Sequence, residues 1–212
     1  MTDDIKRAIL NHAMTKRTFL AGSVASMALS AQPFSIRQAI AQTAEWDLIV
    51  VGGGTAGMPA ALFAAERGAR VLVIDKAPQL GGTMDRSGGQ VAAAGTVWQK
   101  EQGIEDSPDA HYDDVMRINR NTSDPLLTRL LVDNAADTLN WFAARGFTIM
   151  DNHPVMGAGH EPFTTRRYQW SPDQAKAFQN IMEPMLLAAQ ADGRVKLLTD
   201  TGAVDLIQDD TG

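Results

Sequence analysis

One stretch constrains the fold more than any other. Six consecutive small residues, Gly52-Gly53-Gly54-Thr55-Ala56-Gly57, separate an apolar run from an alanine-rich one. The run before them, Trp46-Asp47-Leu48-Ile49-Val50-Val51, has the length and composition of a buried parallel strand. Ala60 to Arg67 is helix-forming, Gly68 stands where a helix ends in a left-handed residue, and Pro59 falls in the first turn, where its missing N–H costs little. Arg70-Val71-Leu72-Val73-Ile74 then reads as a second strand that ends at Asp75. Strand, glycine turn, helix and strand in about 30 residues, with G-x-G-x-x-G at the turn and an acid at the end of the second strand, predict an α/β fold. Its parallel sheet is Rossmann-like and built around a dinucleotide.

Each position in this unit has a physical task. Gly52 permits the tight turn, Gly54 lets the backbone approach a pyrophosphate, and Gly57 lets helix and strand pack closely. Gly53, Thr55 and Ala56 complete the loop, and the helix that follows offers free N–H groups and the positive end of its dipole to a diphosphate. Asp75 can accept from both ribose hydroxyls, and its charge would repel a 2′-phosphate. Lys76 follows, and two further clusters come soon after: Gly81-Gly82-Thr83 and Ser87-Gly88-Gly89. NAD does not require them. They make sense if the backbone must approach the flavin end of a longer cofactor, so the expected ligand is FAD.

At these residues the chain resembles the FAD-binding domain of the fumarate reductase and succinate dehydrogenase flavoprotein family, whose soluble members include fumarate reductases, urocanate reductases, tricarballylate dehydrogenases and 3-ketosteroid dehydrogenases. The resemblance runs from residue 46 to residue 212. It rests on Val51 to Gly57, Ile74-Asp75-Lys76, Leu80-Gly81-Gly82-Thr83, Ser87-Gly88-Gly89 and Leu198-Thr199-Asp200-Thr201-Gly202-Ala203. It implies that the second and third glycine clusters lie along the pyrophosphate and the isoalloxazine, and that Ala203 touches the adenine through its backbone. Most relatives place Glu where this chain has Asp75. Some respiratory members attach FAD to a histidine near the second glycine cluster. No histidine occurs between Met14 and His111, so non-covalent binding is expected.

The resemblance also implies more chain beyond Gly212: a capping domain, the closing segment of the FAD domain, and the catalytic arginine. The 212 residues are accordingly read as an N-terminal portion, incomplete at the C-terminus, with no catalytic residue assignable within it. The turn at Asp209-Asp210-Thr211-Gly212 reads as a hairpin without its second arm.

Elsewhere, Ser107-Pro108-Asp109 and Asp124-Pro125 are helix starts. The second of these helices is expected to bury Leu127, Leu130, Leu131, Thr138, Trp141 and Phe142 on one face and to end at Gly146. Phe147 to Met150 reads as a strand. His111, beside Asp113 and Asp114, reads as part of a solvated face rather than a metal site; no metal is expected. The irregular stretch from Asn152 to Trp170 admits two readings. His160 is a proton donor and Arg166 or Arg167 a carboxylate clamp, or the whole is a flexible surface loop. Ser171-Pro172-Asp173 starts a further helix that Pro184 should kink or break. Val195–Thr199 and Val204–Ile207 read as two strands of a small sheet.

Residues 1–41 form a separate segment with an export signal. Lys16 and Arg17 precede a short apolar and small-residue run from Phe19 to Ala31, and Ala39-Ile40-Ala41 has the spacing of a cleavage site. The run is too short to span a bilayer, which needs roughly 20 apolar residues. Lys-Arg-x-Phe-Leu resembles a twin-arginine leader with Lys16 in place of the first arginine; Sec export, or an uncleaved helix on a cytoplasmic protein, are the alternatives. Beyond the leader, residues 42–212 form the N-terminal portion of the FAD domain and are strongly acidic within a chain of net charge −6, which argues against a nucleic-acid partner. The absence of cysteine excludes iron–sulfur clusters and thiolate zinc from this stretch. The function expected is an exported FAD-dependent oxidoreductase that exchanges hydride with a C–C bond of a small carboxylate, with an electron-transfer partner. A 3-ketosteroid dehydrogenase, or a non-catalytic FAD-binding fragment, is the alternative.

Overall fold

Strand β1 (Leu48–Val51), helix α1 (Gly57–Glu66) and strand β2 (Val71–Ile74) follow one another as the sequence predicts, with β1 and β2 parallel and Leu48 opposite Val71. The computed structural model describes residues 46–157 and 159–206. The export signal, the 41/42 boundary and the turn at 209–212 lie outside the described residues.

A third strand, β5 (Val195–Leu198), pairs parallel with β2, Val71 opposite Val195, giving the order β1-β2-β5. This corrects the small-sheet expectation: Val195–Leu198 extends the main sheet, whereas Val204 to Leu206 form no strand, and Val204 and Leu206 are exposed. Between β2 and β5 the chain forms β3 (Val91–Ala92), α2 (Val97–Glu101), α3 (Pro108–Ile118), α4 (Pro125–Ala143), β4 (Tyr168–Gln169) and α5 (Lys176–Ala191). β3 and β4 pair antiparallel as a separate two-stranded ribbon.

The main core lies between α1, α5 and the sheet. Met58, Ala61, Leu62 and Ala65 of α1 meet Ala177, Met182, Leu186 and Ala189 of α5 over Val71, Val73 and Val195. Small residues at Ala61, Ala65, Ala177 and Ala189 let the two helices approach closely. Only one face of β1 is covered by these elements: Leu48 and Val50 pack on the core, but Ile49 is 50% and Val51 60% exposed. The expectation of a buried strand is therefore met on one face among the described residues.

The helix starts follow the sequence. Ser107 Oγ accepts from Ala110 N at 3.1 Å, and Asp124 Oδ1 accepts from Leu126 N and Leu127 N at 2.8 and 3.0 Å. Three other expectations are corrected. On α4 the buried side is Thr128, Val132, Leu139 and Phe142, which α3 and the core cover, while Leu127, Leu130, Leu131 and Thr138 face outward. Phe147 to Met150 forms no strand among the described residues: Met150 N donates to Trp170 O at 2.9 Å, and Phe147 is held by rings, tilted against Phe178, Trp98 and Phe142. Helix α5 begins only at Lys176, because Gln174 sits at φ +56°, and it runs unbroken through Pro184. Pro184 and Asn180 are both on the exposed side of α5, so the carbonyl that proline cannot bond is open to water.

Candidate cofactor site

The backbone leaves β1 through Gly52, at φ +99°, and turns directly into α1. Gly57 sits so close beneath this turn that a Cβ there would overlap the Gly52 carbonyl oxygen, a backbone atom that cannot move aside. The roles expected of Gly52 and Gly57 are thus visible as geometry. The N–H groups of Gly54, Thr55, Ala56 and Gly57 have no hydrogen-bond partner among the described residues, and the loop opens on a cleft of about 520 Å³ that is lined by Val51, Gly52, Gly54, Ala56 and Ala60. Free donors at a helix N-terminus with the positive dipole end behind them suit a diphosphate.

Asp75 stands at the end of β2 and already works on the loop. Its Oδ2 accepts from Gly53 N at 2.7 Å and its Oδ1 from Ala77 N at 2.8 Å. Each carboxylate oxygen keeps a second lone-pair site, so ribose hydroxyls can still be bound. The short stem of Asp75 brings the carboxylate against the backbone, where a longer side chain would reach past it. Gly53 is packed under Leu80: a Cβ there would meet the end of the Leu80 side chain, which would have to shift, and would lie 3.4 Å from Asp75 Oδ2.

The second cluster joins this loop directly. Gly81, at φ +117°, donates from its N–H to Gly53 O at 2.9 Å, and Gly82 faces Gly54 so closely that a Cβ on Gly82 would lie 3.3 Å from the Gly54 Cα. The segment after β5 also comes in: Asp200 N donates to Ala77 O at 3.0 Å and Thr201 N to Asp75 O at 2.9 Å, which carries Gly202 and the exposed Ala203 to the end of β2. Thr201 and Leu80, which the sequence marked only as parts of the landmark stretches and not as site residues, therefore shape the site through a backbone bond and through packing on Gly53. Lys76 and Thr83 are exposed. In the third cluster, Ser87 Oγ accepts from Gly89 N at 3.1 Å, and Gly89 lies against the Gln174–Ala175 peptide, where any Cβ would overlap backbone.

The second half of the molecule is organised around a buried ion cluster. Arg167 is fully buried (0% exposed), with its Nε and Nη2 on Asp106 at 2.9 and 2.8 Å and its Nη1 on Asp114 Oδ2 at 2.6 Å. Gln99 Nε2 donates to Asp106 at 2.8 Å, and Thr164 donates to Asp114 through both N and Oγ1. Burial by itself would raise Asp114, but hydrogen bonds from Arg117 and Thr164 and the charge of Arg167 hold its carboxyl below the usual range. His111 is buried beside them, edge-on to Phe163, with Nδ1 unpartnered. Burial, then the neighbouring Arg167 charge, push its pKa down to about 4.

These findings correct three sequence readings. His111 is not on a solvated face. Arg167 is a structural strut whose donors are taken up by two carboxylates and the Ala110 carbonyl, so it cannot clamp a substrate. The stretch 152–170 is not a loose loop, since Phe163, Arg167 and Gln169 are buried. His160 and Arg166 remain exposed, and His160 Nδ1 contacts the Glu161 carbonyl at 2.6 Å. Among the described residues no three metal-ligating side chains cluster, and no helix is long and apolar enough to cross a membrane.

A parallel sheet with a glycine turn, N–H groups unpaired among the described residues and an acid at the end of the second strand defines a dinucleotide-binding α/β domain. The sequence model of the FAD binding domain family matches residues 47–212, and the chain belongs to that family; its cofactor is FAD. The chain is 38% identical over 112 residues to a fumarate reductase (cytochrome) of Shewanella frigidimarina, an overlap that covers 53% of this chain and 20% of that protein. It is 48% identical over 66 residues to a 3-oxosteroid 1-dehydrogenase of Mycobacterium tuberculosis, covering 31% and 12% respectively. Among solved structures, the open conformation of a flavocytochrome c3 fumarate reductase superposes with a TM-score of 0.65 at 27% identity, over 87% of this chain and 35% of that one. The chain thus spans about one-fifth of the length of the fumarate reductase that it matches.

Proposed function

We propose that this chain is the cofactor-binding part of an FAD-dependent oxidoreductase acting on a C–C bond of a small carboxylate. The observation that carries the reading is the meeting of the first two glycine clusters at Gly53–Gly81, with Asp75 and Thr201 beside them, in a chain whose relatives include fumarate reductases. Bound there, FAD supplies hydride exchange with one carbon of an activated C–C bond, while a side chain exchanges a proton at the neighbouring carbon. The protein's own contribution on the described residues is seating: Gly54 to Gly57 offer N–H donors to the diphosphate, Asp75 accepts from the ribose, and the second and third clusters bring backbone against the flavin end. Attachment is non-covalent, the electrons come from a separate donor, and residues 1–41 direct export.

The test begins with the full-length protein, which should be yellow and should release its flavin on heating or acidification. Oxidation of a reduced viologen dye should then depend on fumarate or a similar unsaturated carboxylate. Colourless protein sinks the cofactor reading. Flavin-loaded protein that is inert to carboxylates but active on 3-oxosteroids establishes the second reading, which the 48% match to a steroid dehydrogenase favours; flavin without either activity leaves a binding module. Fusing residues 1–45 to a reporter checks export separately: periplasmic, shortened product is expected, and full-length cytoplasmic product overturns it.

A further inference from the structure

The second and third glycine clusters have a common support that no motif announces. Both rest on the start of α5. Gly89 lies against the Gln174–Ala175 peptide, and one helical turn later Gln179 lies flat on Gly81: a Cβ built on Gly81 would be 3.0 Å from Gln179 Oε1 and 3.3 Å from its Cδ and Nε2. Ala175 and Gln179 are four residues apart and so share one face of the helix. Gln179 Nε2 donates to the Leu80 carbonyl at 3.3 Å and to Glu183 Oε2 at 3.3 Å, while Oε1 is buried without a partner.

Gly81 is therefore gripped from two sides. Its own N–H is bonded to Gly53 O of the dinucleotide loop, and its other side carries the Gln179 amide. Leu80, just before it, is buried against Gly53 and gives its carbonyl to Gln179. A glycine turn with positive φ at both Gly81 and Gly82 has wide conformational freedom in solution, and a ligand that needs one conformation is weakened by the fraction of time spent in others.

We propose that Gln179 is a positioning residue for FAD: its side-chain amide holds the Leu80–Gly81–Gly82 turn in the conformation that receives the cofactor, and with Ala175 it ties both downstream glycine clusters to α5. The proposal rests on the FAD reading above. No contact between Gln179 and the reacting atoms is needed.

The experiment measures FAD affinity of the full-length protein by flavin fluorescence, together with melting of the apoprotein. Wild-type binding of FAD comes first; its failure removes the cofactor reading itself and is distinct from any failure of this inference. Given that binding, Gln179→Ala should weaken FAD about tenfold, the worth of one neutral hydrogen bond, and should shift the visible spectrum of the bound flavin. Gln179→Glu supplies a second readout. As a carboxylate it cannot donate to the Leu80 carbonyl, but as a neutral acid it can, and the nearby Glu183 charge favours the neutral form. FAD binding by Gln179→Glu relative to wild type should be poor at pH 8 and recover toward pH 5. A purely structural contact predicts a lower melting temperature for both variants with FAD affinity within twofold of wild type and no recovery at low pH; that result overturns the inference. So does Gln179→Glu binding FAD equally well across the pH range.

Discussion

Water is kept out of the α1–α5 layer by Met58, Leu62, Met182 and Leu186 packed over Val71 and Val73, and out of the α3 region by an arginine with two aspartates. The first arrangement is non-directional and gains roughly 25 cal/mol for each Å² of apolar surface removed from water, so exchanging one aliphatic side chain for another is tolerated. The second depends on every partner. Asp106 takes two bonds from Arg167 and one from Gln99; Asp114 takes bonds from Arg167, Arg117 and Thr164. Such a cluster adds little net stability over apolar packing, but removal of a single member leaves a buried charge uncompensated. What it provides is register: Arg167 O accepts from Ala93 N at 3.1 Å, which fixes the strand that continues from the third glycine cluster to the same anchor.

That contrast is most exposed to a test at Arg167. Arg167→Met should destabilise by about 3–5 kcal/mol, which is on the order of 10 °C in melting temperature. Leu186→Met in the apolar layer, an exchange that conserves volume at a buried site, should cost under about 1.5 kcal/mol. Thermal denaturation followed by circular dichroism compares them, and equal losses would mean that the two regions do not differ as described.

In the cofactor region the corresponding loss should fall on binding. On the proposed seating, Asp75→Ala would remove two charge-assisted hydrogen bonds to the ribose, each worth roughly 1.5–3 kcal/mol, so FAD affinity should drop on the order of a hundredfold or more. Because Asp75 also holds the Gly53 and Ala77 N–H groups, the apoprotein should melt earlier too. Titration of the apoprotein with FAD decides; unchanged affinity would place the ribose elsewhere.

A smaller effect is expected from acid. His111 is neutral in the fold down to about pH 4, whereas in the unfolded chain it takes up a proton near pH 6.5. Between those values the unfolded state binds more protons, so stability rises with pH across this window and falls on acidification through it. Asp114, with its carboxyl held below the usual range, contributes stability that is lost only lower still, as pH falls through its folded value. His111→Phe should flatten the profile between pH 6.5 and 4 and leave the drop at lower pH. Chemical denaturation at half-unit steps of pH would reveal an undiminished slope if another group were responsible.

The smallest change should be at the outward leucines of α4. Leu127→Gln and Leu131→Gln should each alter stability by less than about 0.5 kcal/mol, since both residues lie on the exposed side. Losses of 2 kcal/mol or more in the full-length protein would show that this face is covered.

The amino-acid order by itself determined the strand–turn–helix–strand unit of the dinucleotide loop, although distant groups also brace it, Asp75 on Gly53 N and Gly81 N on Gly53 O. Gly52, Gly57, the α1 boundary at Gly68 and the acid at the end of β2 are local matters of φ, of Cβ volume and of hydrophobic period, and the helix starts at Ser107 and Asp124 are likewise local, a side-chain oxygen meeting N–H groups two or three residues on. Tertiary structure alone decided which face of α4 is buried, that β5 joins β2 rather than a neighbour in sequence, and that His111, Asp114 and Arg167 lie inside. Those outcomes depend on partners far along the chain: Arg167 on Asp106, Gln179 on Leu80, Gly89 on Ala175. A charged or amide side chain has water as its default partner and carries no periodic signal when it turns inward. Its burial follows only once the fold supplies the one complementary group that repays its desolvation.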